Sequence, residues 1–164
     1  MGLIIKDKIQ ALMKGYPTVS DKYDVAGAVL DGSTAVKFGE LVQYGNTAGY
    51  FKAAAGASAI TDIGGFALAT NVKLAQDWPG TTVQINPGEA FNLLVKGFMA
   101  IELDSSADPD YITPNAQMCV ILSTGKVTTA DQYNASTAPY LPGVVFTGTK
   151  ELQGSTYVAE IYVK

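Results

Sequence analysis

The sequence has no histidine, and all 11 of its basic residues are lysine, so arginine is missing as well. Without histidine there is no Ser-His or Cys-His nucleophile pair and no imidazole metal ligand. Without arginine there are no planar forks to grip phosphates and base edges. The lysines stand singly from Lys6 to Lys164 and the net charge is -4, so the chain lacks the basic face of a nucleic-acid binder. Cys119 is the single cysteine, which excludes an internal disulfide and a cysteine zinc site. It lies in the run Met118-Cys119-Val120-Ile121-Leu122 and reads as a small buried hydrophobe. No stretch approaches the ~18 apolar residues of a membrane-spanning helix, so no membrane partner is expected. At the start of the chain the charges of Lys6, Asp7 and Lys8 follow the apolar residues, the reverse of a secretion signal. Gly2 lacks the Ser or Thr that a myristoylation motif places where Lys6 stands.

Motifs that carry chemistry are also missing. Gly125-Lys126 runs into Val127 without the upstream glycine of a P-loop, and no Gly-x-Ser-x-Gly elbow occurs. Asp104, Asp108 and Asp110 gather around Ser105, Ser106 and Pro109, but their spacing is not that of an EF-hand. A solvated turn is the expected role. Glu40, Glu89, Glu102 and Glu160 qualify as paired acids of a hydrolase by residue type only. Asn134-Ala135-Ser136 matches the glycosylation triplet in a chain with no secretion signal and is read as chance. The expectation is a protein that is no enzyme and holds no cofactor or metal.

What is present points to a packed β-structure. The chain has 164 residues, enough for one domain or one domain with an arm. Apolar residues make up 48%, glycine is frequent with 17 copies, and charged residues reach only 16%, against ~25% in an average protein. Such a surface suits contact with a neighbour. Nine tyrosines add large amphipathic side chains of the kind favoured at interfaces.

Ile5, Ile9, Leu12 and Met13 fall at i, i+4, i+7 and i+8, predicting a short helix that Gly15 and Pro17 stop. A lone helix of this length is marginal in water and must dock. The predicted division is an arm over residues 1–19 and a β-rich domain over 20–164. Beyond the arm, short apolar runs alternate with turn signals such as Asp31-Gly32, Asn86-Pro87-Gly88-Glu89 and Ser123-Thr124-Gly125-Lys126. Strands are expected at Ala35–Phe38, Leu41–Tyr44, Phe66–Leu74, Thr82–Ile85, Met118–Leu122 and Val127–Thr129, and in the last pair from Leu141. The clearest places Leu93, Val95, Met99, Ile101 and Leu103 on one face, with Gly97 marking a bend or bulge. Tyr157, Ala159, Ile161 and Val163 form one face of the final strand. The class is all-β, an antiparallel barrel or sandwich with a short N-terminal helix or arm. Candidate interface residues are Ile5, Ile9, Leu12 and Met13 of the helix face, with the aromatic Tyr16, Tyr44, Tyr50 and Phe51.

Four segments, in order, have a familiar look. They are Ala26-Gly27 with Val36-Lys37-Phe38-Gly39-Glu40-Leu41-Val42, then Phe66-Ala67-Leu68-Ala69 with Asn71-Val72-Lys73. Pro87-Gly88-Glu89-Ala90 with Leu93-Leu94-Val95-Lys96-Gly97 follows, and Leu141-Pro142-Gly143-Val144-Val145-Phe146 precedes the strand ending Ala159-Glu160-Ile161-Tyr162-Val163. Their order and spacing over about residues 16–164 resemble the structural cement (capsid decoration) proteins of tailed bacteriophages. The resemblance implies a non-enzymatic virion protein, made in the host cytoplasm and placed on the outer surface of the capsid. There it would clamp joints between subunits of the major capsid protein as a small homo-oligomer, a dimer or trimer. It brings no catalytic residues and no cofactor. The Ala-rich 49–60 stretch and the N-terminal helix match no part of that pattern. Two other classes compete: a carbohydrate-binding β-sandwich, with Trp78 beside Pro79-Gly80 as a platform, and a hydrolase working through Glu89 and Glu102.

Overall fold

The structure is a computed structural model and describes residues 14–18, 23–68 and 84–164. The helix expected over Ile5–Met13, residues 69–74 and 82–83 of two expected strands, and Trp78 lie outside the described residues. Eleven strands are described: β1 (Asp24–Leu30), β2 (Val36–Lys37), β3 (Leu41–Tyr44), β4 (Tyr50–Ala53), β5 (Ile63–Leu68), β6 (Gln84–Ile85), β7 (Ala90–Glu102), β8 (Gln117–Ile121), β9 (Lys126–Thr129), β10 (Tyr140–Gln153) and β11 (Thr156–Val163). The described helical content is three single 3-10 turns at Ile60–Asp62, Pro109–Tyr111 and Ala130–Gln132.

Between barrel and sandwich, the strands choose barrel. The order β1-β4-β3-β5-β7 closes because β7 also pairs with β1. All neighbours in this ring are antiparallel except β1 with β4, which run parallel and meet at two pairs, Val29 with Tyr50 and Leu30 with Phe51. The sheet continues from β7 through β11, β10 and β8 to β9. A parallel bridge between Leu103 and Val127 then brings β9 back to the residue after β7, and Asp104 N–H donates to Val127 O at 2.7 Å. The long strand β7 therefore serves both rings, its first half facing β5 and its second half facing β11.

One irregularity lets a single strand do this. Asp24 pairs with Lys96 but Val25 pairs with Leu94, so Val95 is an extra residue on β7. The extra residue reverses the alternation. Phe91 and Leu93 point into the first barrel, with Ala28, Leu30, Val42, Phe51 and Ala67. Met99, Ile101 and Leu103 join the core of the second, with Met118, Val120, Val127, Phe146 and Ile161. The expected common face from Leu93 to Leu103 is thus corrected: Val95 is 48% exposed, and Leu93 and Met99 belong to different cores. Strict period-2 reading fails wherever a bulge inserts one residue.

The final strand behaves as its alternation predicts: Ala159 and Ile161 are in the second core, with Tyr157 and Val163 packed against it. The Asn86–Glu89 and Ser123–Lys126 turns are also where expected. Glu89 N–H donates to Asn86 O at 3.0 Å, and β8 and β9 form a hairpin pairing Ile121 with Lys126.

The Ala-rich stretch finds its reason here. Ala54 and Ala57 sit in the second core although the chain before them, β4, belongs to the first barrel. Gly56 N–H donates to Leu122 O at 2.9 Å, and the buried Gln43 amide donates to Ala53 O at 2.7 Å. Gly125 packs against this segment with φ +70°, and a Cβ there would lie 2.7 Å from the Ala54 carbonyl carbon. Small side chains let the two barrels touch backbone to backbone.

Candidate functional site

The described groups that could do chemistry are spent on structure. Asp104 Oδ1 accepts from Ser106 N–H at 3.0 Å and Asp108 Oδ1 from Asp110 N–H at 2.9 Å, so these carboxylates cap their own turns. Glu40 accepts from Lys37 N–H at 2.9 Å and Glu89 from Asn86 N–H at 2.7 Å, again within single turns. Glu160 accepts from the Thr147 hydroxyl at 2.7 Å. Glu102 forms an ion pair with Lys14 at 2.6 Å and accepts from the Thr156 hydroxyl at 2.9 Å. Burial pushes the Glu102 carboxyl up, but the bonds from Lys14 and Thr156 with the Lys14 and Lys126 charges outweigh it, holding its pKa below the usual value. Among the described residues no three His, Cys, Asp or Glu side chains are grouped to hold a metal ion. Cys119 is fully buried as expected, and burial, with the nearby Asp131 charge, pushes its thiol up to about 11.

What remains is a surface. Ile5, Ile9, Leu12 and Met13 lie outside the described residues. Residues 14–18, the end of the expected arm, are laid along β7: Gly15 N–H donates to Ala100 O at 2.8 Å and Thr18 N–H to Phe98 O at 3.2 Å. Gly15 is sealed against Phe38, where a Cβ would come within 2.3 Å. Tyr16 in this strap is half-buried; its hydroxyl is buried without a partner, and burial raises its pKa.

Tyr44 and Tyr50 flank the β3–β4 turn and are 56% and 41% exposed. Phe51 is different. It is a core residue of the first barrel, edge-on to Phe91 at 6.3 Å between ring centroids and beneath Tyr44 at 5.4 Å. As an interface candidate it is corrected: β-alternation turns Tyr50 outward and therefore Phe51 inward. Three exposed side chains outside the candidate set, Tyr23, Val25 and Val95, cluster where β1 meets the β7 bulge. Val95 was legible only as an inward-facing residue until the bulge was known. A shallow apolar groove runs between β1 and β4, lined by Gly27, Val29, Gly49, Tyr50 and Asn92.

With this geometry in view, comparison with known proteins is informative. The profile of the family described as structural cement protein (E217 gp24/Pam3 gp6) matches residues 5–164. Among solved structures, a chain of the capsid of Myoviridae phage XM1 superposes with a TM-score of 0.63 at 16% identity, covering 97% of this chain and 95% of that one, and so shares the fold. No curated protein sequence matches this one. A fold of two barrels on one strand, with Tyr44 and Tyr50 exposed beside an apolar groove, is here joined to a profile spanning nearly the whole chain: this protein belongs to the phage structural cement protein family, a structural component of the virion capsid.

Proposed function

We propose that this protein binds on the outer surface of the capsid, across joints between subunits of the major capsid protein, and holds them together as a homo-oligomer. The family match over residues 5–164 carries the proposal. The exposed Tyr44 and Tyr50 beside an apolar groove supply its chemistry. A cement works by adding buried area across a joint that would otherwise open, at ~25 cal/mol per Å2 of apolar surface. Area alone does not set affinity, so a few aromatic anchors are expected to dominate. Synthesis in the host cytoplasm and a capsid-contacting role for residues 1–13 belong to the same proposal.

The test is binding of purified protein to matching capsids stripped of it. Saturable binding that raises the temperature at which capsids release DNA supports the reading; no binding at high concentration sinks it. A deletion of residues 1–13 probes the arm and spares Lys14–Thr18, which are bonded to β7. The truncated chain is expected to keep its β-fold and bind capsids more weakly.

A further inference from the structure

The loop between β9 and β10 carries an aromatic pair that neither core uses. Tyr133 and Tyr140 stack face to face, with ring centroids 4.3 Å apart and planes 14° from parallel. Leu141 packs into the second core, so alternation along β10 turns Tyr140 outward as the floor of the stack. Tyr133 lies on top of it and is 49% exposed, an exposure that fits one face covered and one open. The loop that carries them is fastened along its length. Tyr133 N–H closes the 3-10 turn onto Ala130 O at 3.1 Å, and Asn134 and Ala138 exchange two backbone bonds of 3.0 and 2.9 Å. Val120 N–H donates to Pro139 O and Leu122 N–H to Thr137 O, each at 3.0 Å, tying the loop to β8 and the residue after it. Asn134 Oδ1 accepts from the Ser136 and Thr137 N–H groups at 2.9 and 3.1 Å, which orders the tip. A ligand arriving here has little loop entropy to remove.

We infer that the open face of Tyr133 binds a neutral sugar ring, one hexopyranose of a glycan. A pyranose presents an apolar face of C–H groups edged by hydroxyls, and its complement is a flat aromatic face edged by hydrogen-bonding groups. This loop supplies both. The side-chain nitrogen of Asn134 and the hydroxyls of Ser136 and Thr137 make no hydrogen bond among the described residues, and residues 131–137 are all exposed. Other partners fit less well. Besides Tyr133, Ala135 is the one apolar residue among those exposed positions, so a protein anchored on the ring would find no apolar rim to exclude water. The one charge over residues 131–137 is Asp131, whose carboxylate accepts from the Gln132 amide at 2.5 Å. It repels phosphates and carboxylates, which disfavours a stacked nucleotide and an anionic sugar alike.

Sugar binding at this loop is independent of the capsid reading and is tested on the full chain without capsids. Methyl α-glucoside, methyl β-galactoside and methyl α-mannoside are titrated up to about 100 mM and followed by NMR. At least one is expected to bind saturably with a Kd of about 1–10 mM, the strength of one small ring on an open platform, and to shift the ring signals of Tyr133 and Tyr140. Tyr133→Ala is expected to weaken that binding about tenfold or more, with circular dichroism and melting unchanged because the ring lies outside both cores. Tyr133→Trp offers a larger flat face and keeps the binding. Tyr23→Ser, at a comparably exposed tyrosine of the first barrel, binds as the wild type does. No saturable binding of any of the three sugars, binding unchanged in Tyr133→Ala, or an equal loss in Tyr23→Ser would overturn the assignment. A wild type that binds none of the sugars, with a Tyr133→Ala variant that loses capsid binding, would overturn it too and give the loop to the capsid contact. A chain that binds sugar and ignores capsids leaves this site standing and removes the capsid reading.

Discussion

The two barrels share a strand but differ in how they finish. The second is continuous through β11, β10, β8 and β9 to the Leu103–Val127 bridge, and its core includes the fully buried Met99, Ile101, Met118, Phe146 and Ile161. The first has a smaller core, is closed between β1 and β4 by two residue pairs, and carries Tyr23, Val25, Tyr44, Tyr50 and Val95 on its surface. The difference is one of core and surface: among the described residues the second barrel holds more of the large, fully buried side chains, and the first more of the exposed apolar ones.

If that division holds, removing a core ring should matter most in the second barrel. Phe146→Ala is expected to cost about 3–5 kcal/mol in denaturant unfolding. Phe51→Ala should cost less, because Phe51 lies at the rim below the exposed Tyr44. Equal losses would break the comparison. The junction comes next. Gly125→Ala places a methyl against the Ala54–Ala55 backbone at φ +70°, and a loss of about 1–3 kcal/mol is expected from strain and overpacking.

Surface changes sharpen the other half of the comparison. Tyr44→Ser and Tyr50→Ser together are expected to shift stability by about 0.5 kcal/mol or less each, yet weaken capsid binding about tenfold or more. A matched change on the second barrel, Tyr111→Ser, should leave binding within about twofold. The smallest effect belongs to the Lys14–Glu102 pair, whose side chains are 38% and 43% exposed; Glu102→Gln should cost about 0.5 kcal/mol, discounted for solvent screening. Because the Glu102 pKa is lowered in the folded state, its contribution is present above the ordinary carboxylate value of about 4.3 and is lost as pH falls through the folded value. The difference between wild type and variant, followed by thermal melting, should therefore vanish in acid and not in base.

Much of this was readable from residues in order. The alternation of Tyr157, Ala159, Ile161 and Val163, the buried setting of Cys119 and the turns at Asp31-Gly32 and Pro87-Gly88 are local features, and the structure has them where the pattern puts them. The candidate surface was legible only in part. Tyr44 and Tyr50 are exposed as a contact would need, while Phe51, one residue along, is turned into the core by the same alternation. Tyr23 stood out only as one of nine tyrosines, and Val25 and Val95 gave no surface signal, because exposure depends on which strands pack over a residue.

The missing histidine and arginine, the single cysteine and the spacing of apolar runs by themselves determined an all-β chain with no common catalytic set. They did so because side-chain chemistry and period-2 alternation are properties of neighbours in sequence. The tertiary structure alone decided that β7 would serve two barrels, that Val95 would bulge, and that the Ala-rich segment would join the cores. Those outcomes depend on pairings between residues far apart in the chain. Local pattern allows many such partners, and only ring closure and core packing select among them.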